Sequence, residues 1–411
     1  MKPSKVLFIA HRIPYPPNKG DKIRSFHMLR HLTENHRVAV ACMIDDSRDI
    51  EYIDALNEMV DQVFYEVRSP FAMKMKAVGA VLSGEPFTKP CFYSVNLQRS
   101  IDRYLDDNDV QAVICFCSSS AEYVFRSRHY PESLQKKVLL ADMVDVDSEK
   151  WRQYAEQKSG LMKWLYRREA EYLRPYEQKI AESFDRTFLV SEEEKNVMAQ
   201  SGAVDKVEAL SNGVDLDYFS PESHRGNENS SKNRLVFSGA MDYWPNIEGA
   251  VWFVDKVFPA VKSAVPDAVF CIAGRNPHDD VLALRKIPGI EVTGTVPDIR
   301  DYLSDAAICV APLQIARGIQ NKVLEGMAMH KAVVATSGAA TGLKAVPGRD
   351  IIVATGETQM VEAIIRLLHD SDERRQIGLS ARRYVECAHS WDAHLGRMSE
   401  LVGTDKCAAV S

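Results

Sequence analysis

The sequence predicts an α/β protein made of two doubly wound, Rossmann-like halves in series. Two observations carry this. Short β-branched runs alternate with helical patterns along the chain, and the alternation restarts after a single polar interruption. Strands covered by helices on both faces read as continuous apolar runs, which is how most of these segments read.

The first half offers seven such runs: Lys5 to Ala10, Arg37 to Ile44, Gln62 to Val67, Val110 to Cys117, Lys137 to Asp142, Arg186 to Ser191 and Val207 to Leu210. The second offers six: Arg234 to Gly239, Ala268 to Ala273, Ile290 to Thr295, Ala307 to Leu313, Ala332 to Thr336 and Asp350 to Ala354. Between them, the Asn212-Gly213 turn leads to Ser220 to Lys232 (SPESHRGNENSSK), whose composition is that of an exposed linker. The expected domains are therefore 1–211, 212–385 and a closing helical segment, 386–411, with Trp391 at the start of its helix.

At 411 residues, 45% hydrophobic and 26% charged, the chain has the composition of a soluble globular protein. A net charge of −6 argues against nucleic acid as the main partner, because phosphate-neutralising surfaces carry a basic excess. The strand-like run directly after Met1 leaves no room for a signal peptide, and no apolar run approaches the roughly 20 residues that span a bilayer. A cytoplasmic protein is expected. Of eight cysteines, Cys42, Cys115, Cys117, Cys271 and Cys309 fall in strand runs, where cysteine is a small buried hydrophobe. Cys115 and Cys117, two apart in one strand, would share a face. No second pair or nearby His joins them, so no metal site is expected.

The run Gly318 to Thr336 (GIQNKVLEGMAMHKAVVAT) concentrates the chemistry. A strand, Ala307 to Leu313, precedes a turn with Ala316, Arg317 and Gly318, and a helix opens near Gln320 and stops near His330. A helix start has unpaired N–H groups and a positive dipole end, and at the carboxyl end of a parallel strand it faces the crevice where ligands sit. Arg317 and Lys322 add positive charge suited to a diphosphate, and Glu325, one turn further, suits the hydroxyls of a ribose. Strand, turn, helix and strand is also the plain repeating unit of any doubly wound sheet.

Three further features carry two readings each. His11, just past the first strand, either contacts a ligand or makes a structural hydrogen bond. Asp145 and Asp147 are either acceptor-side polar residues or, with Ser148, the N-cap of the next helix. The helix Gly160 to Ser183 has Leu161, Leu165, Tyr172, Tyr176 and Ile180 on one stripe and Lys158, Lys163, Arg167, Arg168 and Arg174 beside it. It lies on an anionic membrane, or packs on the sheet with a solvated basic face.

Several motifs then coincide in order: Pro14, Pro16, Pro17, Gly20 and Asp21 in the first loop; Phe188 to Ser191 (FLVS) with Glu192; Ser211 to Phe219 (SNGVDLDYF); Val236 to Asn246 (VFSGAMDYWPN); Phe270 to Gly274 (FCIAG); Val292 to Asp298 (VTGTVPD); and the Gly318 segment. Together they resemble the family-four retaining glycosyltransferases of GT-B fold, two Rossmann-like domains facing across a cleft. Asp145 to Arg152 (DVDSEKWR) and Arg317 to Glu325 (RGIQNKVLE) most resemble bacterial sugar transferases associated with exosortase-type exopolysaccharide loci.

The resemblance implies an N-terminal acceptor domain, a C-terminal donor domain and a last helix crossing back to the first. It implies that Glu325 binds the nucleotide ribose and that the backbone at Gly318, Ile319 and Gln320, with the Lys322 side chain, holds the diphosphate. The backbone around Val296 to Ile299 would take the base, and Gly20 would approach the donor phosphate or the acceptor. Gly239 and Arg275 complete the donor-binding set. Arg317, Lys322, Asp145 and His11 are the catalytic candidates. Two departures stand out. Arg317 occupies the position of the family's first Glu, so the usual carboxylate contact to the donor sugar is missing. Ser238 to Asn246 lacks the usual Arg and Lys, so diphosphate charge falls to Arg317, Lys322 or Arg275.

The implied donor is a UDP- or GDP-linked sugar, with no cofactor and no metal; no strand of the second half ends on an Asp-x-Asp. The implied reaction is hexosyl transfer with retention to a saccharide or lipid-linked acceptor in exopolysaccharide synthesis, by front-face attack and without a general base. The enzyme would be cytoplasmic, with peripheral contact to the inner membrane face. The alternatives are a catalytically degenerate nucleotide-sugar-binding scaffold and a nucleotide-sugar 2-epimerase on the same fold.

Overall fold

The computed structural model describes residues 3–17, 19–200, 202, 205–222, 232–315 and 319–403. The chain divides into two compact units, Met1–Ser211 with Leu395–Ser411, and Asn212–His394.

Unit 1 is built on seven strands: β1 (Lys5–Ala10), β2 (Arg37–Ile44), β3 (Gln62–Val67), β4 (Ala112–Phe116), β5 (Val138–Val144), β6 (Arg186–Leu189) and β7 (Val207–Ala209). All pairs are parallel and the order is β3-β2-β1-β4-β5-β6-β7. β1 is central because Val6 to Ala10 are apolar on both faces and are buried to within 1%. Sequence order reverses between β1 and β4. The connections that follow β1 and β4 leave the sheet in opposite senses and open a crevice at the carboxyl ends.

Unit 2 repeats the plan with β8 (Arg234–Ser238), β9 (Val269–Ala273), β10 (Ile290–Gly294), β11 (Ile308–Ala311), β12 (Ala332–Thr336) and β13 (Ile352–Ala354). The order β10-β9-β8-β11-β12-β13 is again parallel throughout, and its reversal falls between β8 and β11. Phe253 packs against Phe270, its ring tilted by 41° with 4.4 Å between ring centres, inside a core that includes Phe237, Ile308 and Val334. Helices Glu357–His369, Ser371–Ala388 and Trp391–Gly403 follow.

Local geometry corrects several expectations. The first helix opens at Gly20, not near Ile23, and the helix expected from Gln320 opens at Asn321 and ends at Ala328. β4 ends at Phe116, and Cys117 turns out of it with φ +68°, so Cys115 and Cys117 do not share a strand face. β5 runs on to Val144, where its register with β6 slips by a residue. Residues 223–231 of the expected linker lie outside the described residues. Gly213 must be glycine: a Cβ there would stand 2.7 Å from the Trp391 backbone nitrogen, while Val214 N–H donates to His389 O at 2.8 Å.

Candidate active site

The second sheet's reversal point holds a compact polar cluster. Lys322, in the first turn of the Asn321–Ala328 helix, donates from Nζ to Oδ1 of Asn246, and its ammonium lies 4.9 Å from the Phe237 ring centre. Asn246 is buried and its Nδ2 donates to Ala240 O at 2.7 Å, so the amide is locked and Oδ1 faces the lysine. Both groups reach the loop after β8 because Gly239 has no side chain: a Cβ would stand 2.9 Å from Asn246 Nδ2 and 3.3 Å from Lys322 Nζ. Gly274, after β9, packs closer still, with a Cβ falling 1.6 Å from Gly239 O. Only two glycines let these loops meet.

Glu325 is three residues on from Lys322, on the same helix face. Burial pushes the Lys322 ammonium down to about 8 and the Glu325 carboxyl up to about 7, each against the pull of the other's charge. The Glu325 carboxylate has no hydrogen-bond partner among the described residues. A cation and an anion short of solvation gain from an external partner that supplies opposite charge or hydroxyls. Gln320 sits at the N-cap with extended backbone and gives no side-chain cap; its carbonyl accepts Val323 N–H at 2.9 Å, and the Asn321 and Lys322 N–H groups form the open end of the helix. Asn212 Nδ2 donates to Asn321 Oδ1 at 3.3 Å, bringing the Asn-Gly-Val-Asp motif against the same turn.

The remaining donor-side residues also follow strand carboxyl ends. Ile319 is 9% exposed and its side chain belongs to the core, leaving its backbone for a ligand. Arg275, half-buried, accepts Met241 N–H on its carbonyl at 2.9 Å, and its guanidinium pairs with no carboxylate among the described residues. Val296 is half-buried in the loop after β10, and Ile299 opens the Ile299–Asp305 helix behind the cap Asp298. Sequence reasoning missed what shapes this loop: Arg300 pairs with Asp298 and lies 3.7 Å over the Tyr218 ring, whose hydroxyl bonds Asp298 at 3.2 Å. Arg317 and Gly318 lie outside the described residues.

Unit 1 has its own cluster at its reversal point. His11, directly after β1, is 9% exposed; its Nε2 lies 3.3 Å from Asp21 Oδ2 and 3.8 Å from Cys117 Sγ. Its ring packs on Phe116 and Phe92, and Nδ1 has no hydrogen-bond partner among the described residues. Burial alone would raise the Asp21 carboxyl, yet His11, Arg12 at 2.9 Å and the Lys22 N–H hold it well below the carboxylate range. Gly20 opens the helix beside it, and a Cβ there would meet nothing within 4 Å, so the fold itself does not require glycine.

Asp145 and Asp147 line the same end of the sheet. Neither Asp147 nor Ser148 caps the next helix, Asp147–Glu156, which starts behind Val146 without a side-chain cap. Asp147 instead accepts the Ser118 hydroxyl at 3.0 Å, and Lys150 bridges Asp145 at 2.5 Å and Asp147 at 3.6 Å. Against burial, those two carboxylates hold the Lys150 ammonium well above its ordinary range. Ser148 donates from Oγ and N to buried Glu177, whose carboxyl is pushed up to about 8 by burial and by the charge of Asp147. Cys117 and Val144, at the carboxyl ends of β4 and β5, have φ of +68° and +67°. Such strain, of order 1–3 kcal/mol per residue, collects at functional sites.

The helix Gly160–Ser183 departs from its expected stripe. Leu161 and Tyr172 are exposed; the buried line is Ala170, Leu173, Tyr176 and Ile180. Arg168 is not solvated but buried, donating to the carbonyls of Ala80, Val81 and Glu85. This helix and Asp147–Glu156 flank a cavity of about 700 Å³ that runs from Ser148 past Arg152 and Arg174 to Lys163 and Arg167.

Residues 232–370 match the family model described as Glycosyl transferases group 1. A 44.6 kDa protein from the cps region of Klebsiella pneumoniae is 21% identical over 399 residues, covering 93% of this chain and 96% of that one. Sucrose-phosphate synthase from Thermosynechococcus elongatus superposes with a TM-score of 0.72 at 16% identity over 99% and 100% of the two chains. HepE of Anabaena in complex with UDP-glucose gives 0.66 at 12% identity over 97% and 98%. WaaG, a glycosyltransferase involved in lipopolysaccharide biosynthesis, gives 0.65 at 13% identity over 97% and 100%. The solved structures share the GT-B fold with this chain, and with the group 1 glycosyl transferase domain at residues 232–370 the chain is a glycosyltransferase.

Proposed function

We propose that the chain moves a hexosyl group from a UDP- or GDP-linked sugar to a saccharide or lipid-linked acceptor in exopolysaccharide assembly, with retention and without a metal. The observation that carries the donor half is Lys322, bonded to Asn246 and framed by Gly239 where the second sheet's order reverses. HepE, which shares the fold, is solved with UDP and with UDP-glucose, and a relative lies in a cps region; both support the reading.

In this mechanism the acceptor hydroxyl oxygen attacks the anomeric carbon from the face the diphosphate leaves. The bond from that carbon to the phosphate oxygen breaks with its electron pair on the oxygen, and the hydroxyl proton passes to the same oxygen. Nothing else need take the proton. Negative charge grows on the leaving diphosphate, and Lys322, Arg317 and the N–H groups at Gly318 to Gln320 meet it. Glu325 accepts from the ribose hydroxyls, the backbone from Val296 to Ile299 receives the base, and Arg275 supplies a second cation. In unit 1, His11, whose ring Asp21 holds from Nε2, contacts the acceptor. Asp145, fixed by Lys150, orients an acceptor hydroxyl. Such an enzyme works in the cytoplasm.

The test is incubation with a panel of UDP-, GDP- and ADP-sugars, reading nucleoside diphosphate release and thermal shift. Slow donor hydrolysis with a shift for one nucleotide is expected. A shift without turnover would redirect the reading to a binding scaffold, an epimerised sugar to an epimerase, and no shift from any nucleotide would remove the donor site.

A further inference from the structure

The helix Pro70–Ser83 in unit 1 shows solvent a face built for burial. Phe71, Met75, Val78 and Leu82 recur at i, i+4, i+7 and i+11 and are 74, 59, 57 and 83% exposed. That spacing ordinarily marks the side of a helix turned to a core, yet Ala80 is the helix's only buried residue. The helix is held from behind, where Arg168 Nη2 donates to Ala80 O and Val81 O at 3.1 Å. One to two turns before Arg168 on its own helix, Leu161, Met162 and Trp164 are exposed as well.

The charges around these side chains select the occupant. Residues 68–84 contain Arg68, Lys74 and Lys76 and no Asp or Glu; residues 158–168 contain Lys158, Lys163, Arg167 and Arg168 and again none. Of these seven, Lys74, Lys76, Lys158, Lys163 and Arg167 are exposed, in a chain whose net charge is −6. An apolar stripe with aromatic members, whose two segments expose five cations and no carboxylate of their own, is complementary to a surface that is apolar within and anionic at its rim.

We propose that the helix Pro70–Ser83, with the first turns of Gly160–Ser183, docks unit 1 on an anionic phospholipid bilayer. Phe71, Met75, Val78 and Leu82 enter the boundary between headgroups and acyl chains, Trp164 sits at the headgroup level, and the lysines meet the phosphates. The inference goes beyond the donor reading, since no part of it depends on nucleotide binding.

The test is sedimentation of the full chain with phosphatidylglycerol-rich vesicles and with pure phosphatidylcholine vesicles, for the native sequence, Phe71→Ser/Leu82→Ser and Lys74→Glu/Lys163→Glu. All four positions are exposed, so folding is spared. The native chain is expected to bind the anionic vesicles, less at high salt. The serine pair should lose about tenfold in partitioning for each residue, and the charge variant roughly fivefold or more per site. Nucleotide-induced thermal shifts should be the same in all three. Absence of native binding to anionic vesicles, or equal binding by the serine pair, overturns the proposal. So does a concentration-dependent dimer, seen by light scattering and lost in the serine pair without vesicle binding, which would give the face to a second copy. Vesicle binding without any nucleotide shift would instead count against the donor site alone.

Discussion

Lys322 and Glu325 stand three residues apart at a helix start, and the chemistry proposed for unit 2 rests on their shared recess. Glu325→Ala removes an acid whose burial already raises its carboxyl to about 7, so the fold should keep its melting temperature. Nucleotide affinity should fall about five- to tenfold, the worth of one or two hydrogen bonds to ribose hydroxyls; titration calorimetry reads both. Gly239→Ala brings a methyl within 2.9 Å of Asn246 Nδ2 and 3.3 Å of Lys322 Nζ, the movable ends of two side chains. The φ of +152° at Gly239 is also one that alanine rarely adopts, so the change should weaken nucleotide binding and lower stability by about 1–3 kcal/mol. These two partners were legible unevenly. Lys322 and Glu325 announce themselves because they share one short helix behind a strand. Asn246 does not, because it lies 76 residues away and its segment drew notice for the basic residues it lacks.

At the level of elements, close approach separates glycines that look alike in sequence. Gly274→Ala would put a methyl 1.6 Å from Gly239 O, a backbone atom that cannot step aside, and should cost about 3 kcal/mol or more in denaturant unfolding. Gly20→Ala meets nothing within 4 Å and should be neutral or slightly stabilising, since alanine favours the helix it opens. The buried Glu177 beneath the Asp147–Glu156 helix gives a pH signature. Folded, it keeps its proton to about pH 8; unfolded, it releases it near 4.5. Its contribution is thus complete below pH 4.5 and is lost as pH rises through 8, so Glu177→Gln should flatten a fall in melting temperature across that window. None of this could be read from the Gly160–Ser183 helix in advance. Its apolar positions form two stripes, and only contacts from other segments decide that Leu173 and Ile180 go in while Leu161 stays out.

Across the whole molecule, both sheets were legible because parallel strands covered on both faces must be apolar throughout. Thirteen runs were expected and thirteen strands form among the described residues, with ends shifted by at most two residues where turn geometry, as at Cys117, overrides the apolar run. What the runs could not convey is which loops converge, since that follows from strand order, and strand order is a property of the folded sheet. The same limit hid the exposed stripe on Pro70–Ser83, whose periodicity is that of a core face. If the two reversal points serve as argued, hydrogen exchange with saturating UDP should slow at residues 239–246 and 319–328 of unit 2. The central β1 of unit 1 should not change.

Calorimetric titration of UDP and GDP into the native chain and into Lys322→Ala tests the central claim most directly. The native chain should bind one of the two diphosphates, and the variant, intact by circular dichroism, should bind it roughly 10- to 100-fold more weakly, the worth of a charge-assisted contact to phosphate. Equal affinity in the two proteins would contradict the assignment of the diphosphate to Lys322.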